Sequence, residues 1–207
     1  MSEQHPEFKS EDCVFISDTH FGHANIIKYC ERPFEFPHTA EMDALMLNGI
    51  QQADEAGKTI FHMGDFVFNP VNLLNTKWRP KGDHYIILGN HDKHADADGK
   101  YRKLYREFFT HIIGHSKHWR LNTFNINLDD RRIVLSHEPQ QHLGWAQYNI
   151  YGHHHNNMIR NTDRFRFDEY DWLYGKDTHF NAGVELTNYR PVTYDELVEI
   201  PRPVKPT

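Results

Sequence analysis

Five short apolar runs, each closed by Asp, Asn or His, constrain this chain more than any other feature of its sequence. Residues 13–17 (CVFIS) are followed by Asp18-Thr19-His20, and 59–63 (TIFHM) by Gly64-Asp65. Residues 84–88 (HYIIL) lead into Gly89-Asn90-His91-Asp92, 132–136 (RIVLS) into His137, and 148–151 (YNIY) into Gly152-His153-His154-His155. Runs of this length, rich in β-branched and aromatic residues, read as buried strands. In open α/β sheets ligands collect where strands end, because the ends converge and the following loops can be shaped freely. A glycine just before the polar residue, as in three of the five, lets the backbone approach closely at the turn.

Helical patterns separate the early strands. Leu45, Met46, Gly49, Ile50 and Ala53 recur at helical spacing, with Thr39 as the expected N-cap and Gly57 as the stop. Asn69-Pro70 predicts a short helix through Leu74, and Leu104, Tyr105, Phe108 and Phe109 mark another. Later, 119–128 and 131–136 read as strands joined at Asp129-Asp130, with further strands at 112–113, 148–151 and 180–184. Thr193 and Glu196 form a capping box for a last helix through Val198. Strand–helix alternation followed by hairpin-like strands predicts a layered α/β sandwich with two mixed β-sheets, formed by a single domain over 1–207. The polar, aromatic segment 160–179 has no period and reads as an inserted loop.

Composition narrows the chemistry. The chain has 17 histidines against 23 lysines and arginines, and imidazole serves metal binding and proton transfer near neutrality. Its 29 acidic residues leave a net charge of −6, which argues against stable binding to duplex nucleic acid. No apolar run approaches the roughly 20 residues of a membrane span, and residues 1–10 carry no basic or apolar export signal. Cys13 and Cys30 make neither a disulfide framework nor a zinc motif; the expected location is cytoplasmic. Carboxylate, amide oxygen and imidazole together suit hard-to-borderline divalent ions. Seven such residues exceed one mononuclear site and match two ions roughly 3.5–4 Å apart, the arrangement used for in-line displacement at phosphorus. A lone Asp-x-His or Gly-Asp is ordinary turn chemistry; five such endings in order are not.

Read together, D-x-H, G-D, G-N-H-D, a lone H and G-H-x-H resemble the five blocks of the calcineurin-like metallophosphoesterase superfamily, from Asp18 to His155. The resemblance implies a four-layer α/β/β/α sandwich with the metal site at the carboxyl ends of the strands. It implies that Asp18, His20 and His155 bind one metal, that Asn90, His137 and His153 bind another, and that Asp65 bridges the two. His91 then lies near the leaving group as a general acid, with Asp92 orienting it. Two divalent metal ions follow as cofactors, Mn²⁺ first, with iron, zinc or nickel as alternatives. The implied reaction is hydrolysis of a small, nucleotide-like phosphomonoester or phosphodiester by a hydroxide held between the metals.

Departures from the family pattern refine this expectation. The second block continues as Gly64-Asp65-Phe66-Val67-Phe68-Asn69, without the Asp-Arg-Gly of the phosphoprotein phosphatases, so a phosphoserine substrate is not expected. The opening Asp18-Thr19-His20-Phe21-Gly22-His23 is similar to small bacterial and phage phosphoesterases, with His23 either reaching a substrate phosphate or starting a helix. Alternatives are a nuclease acting on short single strands and an inactive scaffold, although the scaffold reading conflicts with the intact ligand set. His154 is expected to point away from the metals. Phe165, Phe167, Tyr170, Trp172 and Tyr174, with Arg160, Arg164 and Arg166, read as a lid, a stacking surface or ordinary packing.

Overall fold

In this computed structural model the described residues are 4–96, 99–160 and 167–203. In chain order the strands are β1 (Glu7–Phe8), β2 (Cys13–Ile16), β3 (Thr59–His62), β4 (His84–Ile87), β5 (His111–Ile113), β6 (Thr123–Leu128), β7 (Arg131–Ser136), β8 (Tyr148–Tyr151) and β9 (His179–Asn181). The helices are α1 (Ala24–Tyr29), α2 (Ala40–Glu55), α3 (Val71–Asn75), α4 (Arg102–Phe108), α5 (Asn157–Arg160) and α6 (Tyr194–Val198). The chain is therefore a mixed α/β protein with two sheets, as the sequence led one to expect.

One detail of that expectation needs correction. The sheet β2-β3-β4-β5 is entirely parallel, not mixed. Each of its connections carries a helix or turn back over one face, and such crossovers join parallel neighbours. The other sheet, β1-β6-β7-β8-β9, is mixed: β6 and β7 form an antiparallel hairpin, and the remaining pairs are parallel.

Alternation along β2 explains how the layers stack. Cys13 and Phe15 face the second sheet, packing in one core with Phe61, Ile87, Ile126, Ile133, Leu135 and Ile150. Val14 and Ile16 face the other way, into a core with Met42, Met46 and Ile50 of α2 and Leu104 and Phe108 of α4. Period-2 strands thus supply both faces of the parallel sheet. On the far side of the second sheet, Tyr151 packs with Met158, Tyr170 and Leu173 in a smaller cluster. No described helix is long and apolar enough to cross a membrane.

Local differences have local causes. Residues 116–121 are 3-10 turns rather than the start of a strand. The Asn122 side chain donates to the Leu88 and His115 carbonyls and accepts from the His115 N–H, offering the backbone an alternative to the ladder. The last strand stops at Asn181, whose Oδ1 accepts from Gly183 N at 2.9 Å. Thr39 precedes α2 without a side-chain cap bond, whereas the Thr193–Glu196 capping box is formed in full. Of the segment expected to be an inserted loop, 167–173 forms 3-10 turns and Tyr170 and Leu173 are buried; Arg164, Phe165 and Arg166 lie outside the described residues.

Candidate metal centre

All five strand-end blocks meet. Asp18, two residues past β2, lies with His20 and His155 in one group of metal-ligating side chains, and with Asp65 and His137 in a second, the donor atoms of each group within 4.8 Å of one another. Asp65 Oδ2 stands 3.5 Å from His20 Nε2 on one side and 3.5 Å from His137 Nε2 on the other. Asn90 Oδ1 is 3.0 Å from His137 Nε2, and the His153 ring lies 5.1 Å from that of His137. These side-chain groups could hold a metal ion.

The backbone is bent to bring them there. Asp18, His20, Asp65, His153 and His155 all have positive φ, between 48° and 68°, a region costly for any residue but glycine. Such strain persists only where the surroundings impose it, and it concentrates at functional sites. The glycines before them are needed for space. A Cβ on Gly89 would lie 2.4 Å from Asp65 Oδ1, and one on Gly152 would lie 1.9 Å from Ser17 Oγ and 2.6 Å from Asp18 Oδ2.

Imidazole orientations are set from behind. His137 Nδ1 is 2.6 Å from the Met63 carbonyl, to which it donates, so its Nε2 faces Asp65 and Asn90. His155 Nδ1 likewise donates to Glu185 Oε1 at 3.0 Å, turning Nε2 toward Asp18, 3.8 Å away. A carboxylate or carbonyl behind the ring is the usual way a protein fixes a metal-binding histidine. His20 is buried with neither ring nitrogen hydrogen-bonded. A buried unpaired polar atom is costly, and a cation beside Asp18 and Asp65 would satisfy it.

Electrostatics agree. Burial pushes the His20 imidazole well below its usual range, leaving a neutral lone pair. Burial would raise the Asp65 carboxyl, but His137 and His20 outweigh it and hold Asp65 well below the usual carboxylate range. Burial raises Asp18. His137 resists its own burial because Asp65 lifts it to about 9, and Glu185 does the same for His155, well above the ordinary value.

One expected role changes, that of Asp92. The Asp92 carboxylate does not reach the His91 ring in any described contact. It accepts instead from the backbone N–H groups of Asp65, Phe66 and Gly89 at 2.7, 2.9 and 2.8 Å, and from the Tyr105 hydroxyl. Asp92 therefore ties two strand-end loops together, because a buried carboxylate is best satisfied by several N–H donors at once. His91 is exposed, its ring 5.2 Å from that of His20, and its N–H donates to Asp65 Oδ1. His23 caps α1, its Nδ1 accepting from Ile26 N, and burial lowers it to about 4. As expected, His154 packs away from the cluster, against Tyr151 and Tyr170.

Sequence reading missed Arg32, Glu138, Glu185 and Trp119. Arg32, fully buried, donates to the Asp18 and Thr19 carbonyls at 2.7 and 3.1 Å and to Glu185 Oε1 at 2.7–2.8 Å. Glu185 in turn holds His155, so one ion pair braces two of the five blocks. Glu138 Oε2 stands 3.6 Å from His153 Nε2, and the Trp119 ring lies 4.7 Å from that of His153. Only Glu138, adjacent to His137, carried any signal.

No family model matches the chain. It is 29% identical over 194 residues to the uncharacterized protein MJ1445 of Methanocaldococcus jannaschii, covering 89% of this chain and 88% of that protein. It is also similar to the crystal structure of the protein of unknown function AQ665 from Aquifex aeolicus, with a TM-score of 0.59 and 25% identity over 89% of this chain and 96% of that one.

Proposed function

We propose that this chain is a metal-dependent phosphoric ester hydrolase of the calcineurin-like type, with two divalent ions at the carboxyl ends of the strands of a four-layer α/β/β/α sandwich in one domain. One observation carries the reading: a single buried carboxylate, Asp65, lies 3.5 Å from an imidazole on each side. His155 stands on the His20 side and Asn90 and His153 on the His137 side, while Asp18 is grouped with both His20 and His137. The helices over β2-β3-β4-β5 and the thin cluster around Tyr151 would be the outer layers.

Bound there, two divalent ions would make water nucleophilic near neutral pH and neutralise charge on the phosphoryl oxygens. The chain's own groups then do the rest. Asp18, His20 and His155 would hold one ion, Asn90, His137 and His153 the other, and Asp65 both. His91, exposed beside His20 and free to turn toward substrate, would protonate the departing alkoxide. Asp92 keeps the loops bearing Asp65 and Asn90 in register. The substrate would be a small phosphoester.

The test is hydrolysis of p-nitrophenyl phosphate and bis-p-nitrophenyl phosphate after chelation, and again with Mn²⁺ restored. Turnover that returns with Mn²⁺ and is lost in Asp65→Ala supports the proposal. Equal activity in Asp65→Ala and the parent overturns it.

A further inference from the structure

Beside His91 the surface opens into a cleft of about 260 Å³ lined by Val67, Phe68, Asn90, His91, Lys93 and His94. Because Asn90 belongs to the candidate metal centre, the cleft borders it. Resting on the phosphoesterase reading, we propose that this cleft receives the leaving group of the ester, and that this group carries a planar ring, a nucleobase or an aryl group.

Phe68 is the reason. It is 52% exposed, an apolar ring left in water at the rim of a polar site. Its position is imposed: Phe68 N and Asn69 N both donate to the Phe21 carbonyl, at 3.0 and 2.9 Å, and Phe21 bridges Val67. The two loops approach so closely that a Cβ on Gly22 would lie 2.1 Å from the Asn69 carbonyl oxygen. His23 packs against Phe68 with ring centroids 4.1 Å apart and planes 34° from parallel. That imidazole is itself fixed by its bond to Ile26 N. The result is a rigid aromatic shelf at the edge of the catalytic cluster, prepaid in conformational entropy.

The rest of the lining selects the occupant. A purely aliphatic group would offer nothing to bond to His91, Lys93 and His94, and would cover polar side chains that water now solvates. A nucleobase or substituted aryl ring offers both a face for Phe68 and polar edges for these side chains. The volume lies below the roughly 300–1,000 Å³ of ordinary ligand pockets, so it suits one ring system and not a polymer.

The experiment is equilibrium dialysis of the Mn²⁺-saturated chain against the non-hydrolysable methylenephosphonate analogues of adenosine 5′-monophosphate and ribose 5-phosphate. The nucleotide analogue should bind about tenfold or more tighter than the ribose 5-phosphate analogue, the gain expected of one aromatic–base stack. That advantage should collapse toward unity in Phe68→Ala and survive in Phe68→Trp; a half-exposed ring can be replaced without unfolding the chain. Equal binding of the two analogues by the parent, or an advantage that persists in Phe68→Ala, overturns this inference alone. Failure of Mn²⁺ to bind overturns the phosphoesterase reading, and this inference falls with it.

Discussion

Replacing Gly89 with alanine should disable the metal centre while leaving the fold in place. Gly89 does not have positive φ, so alanine meets no backbone penalty there. The new methyl would instead lie 2.4 Å from Asp65 Oδ1 and 2.9 Å from two carbons of the His137 ring. To restore ordinary contact the carboxylate oxygen must retreat by about 1 Å, several times the ±0.2 Å within which metal–ligand distances fall. Asp65 is the expected bridge, so both ions should be affected. Even outer contacts of metal ligands are worth 10–100-fold in affinity, and the expected loss for Mn²⁺ is at least about 100-fold on that scale. Overpacking costs about 1–3 kcal/mol, against which Tm should fall by roughly 2–4 °C per kcal/mol. Gly57→Ala is the control: its φ is +74° and nothing lies within 4 Å of the added carbon. It should lower stability by about 1–2 kcal/mol through backbone strain alone and leave metal affinity unchanged. Mn²⁺ titration by calorimetry, with thermal melts of the same samples, separates the two effects. A folded Gly89→Ala variant with parental Mn²⁺ affinity would refute the argument that these glycines are spacers for the ligands.

Three further outcomes follow. His91→Ala should slow hydrolysis of an alkyl phosphate by about 10²–10⁴-fold while slowing a p-nitrophenyl ester far less, because p-nitrophenolate needs no proton to leave; equal losses in steady-state rates would remove the general-acid role. Glu185→Gln should weaken Mn²⁺ binding by about 10–100-fold by loosening His155, read by equilibrium dialysis on folded protein, and parental affinity would make the Arg32–Glu185 pair merely structural. Burial, with Asp12 and Asp129 nearby, lifts the Cys13 thiol to about 12, so at pH 8 its thiolate is roughly one part in ten thousand. Iodoacetamide should therefore modify Cys13 only after denaturation, and labelling of the native chain, mapped by mass spectrometry, would contradict its place in the core.

Local pattern made the strand ends legible. Asp18, Asp65, Asn90, His137 and His153 each follow an apolar run at once or after a single glycine, and a parallel topology then carries those ends to the same edge. What escaped reading is non-local. Arg32 lies just past α1, in a region without strand or motif, and Glu185 sits in turns after β9. They meet the site because Ser17 bridges Gly183 across the sheets. Asp92 was read by its neighbour in sequence, whereas its partners are backbone N–H groups, which every residue carries and no sequence marks. The two-residue β1 was invisible because its pairing with β6 spans more than a hundred residues and depends on the finished sheet. Trp119 reads as strand, whereas it lies in the 3-10 turns before Asn122, its ring 4.7 Å from that of His153.

Counting Mn²⁺ tests the central claim most directly. The metal-free chain titrated with Mn²⁺ and followed by electron paramagnetic resonance should take up two ions per chain, with a spin-coupled signal from ions bridged by Asp65. Asp65→Ala should lose the coupling. A single uncoupled ion at saturation, or coupling that survives Asp65→Ala, would contradict the dinuclear centre.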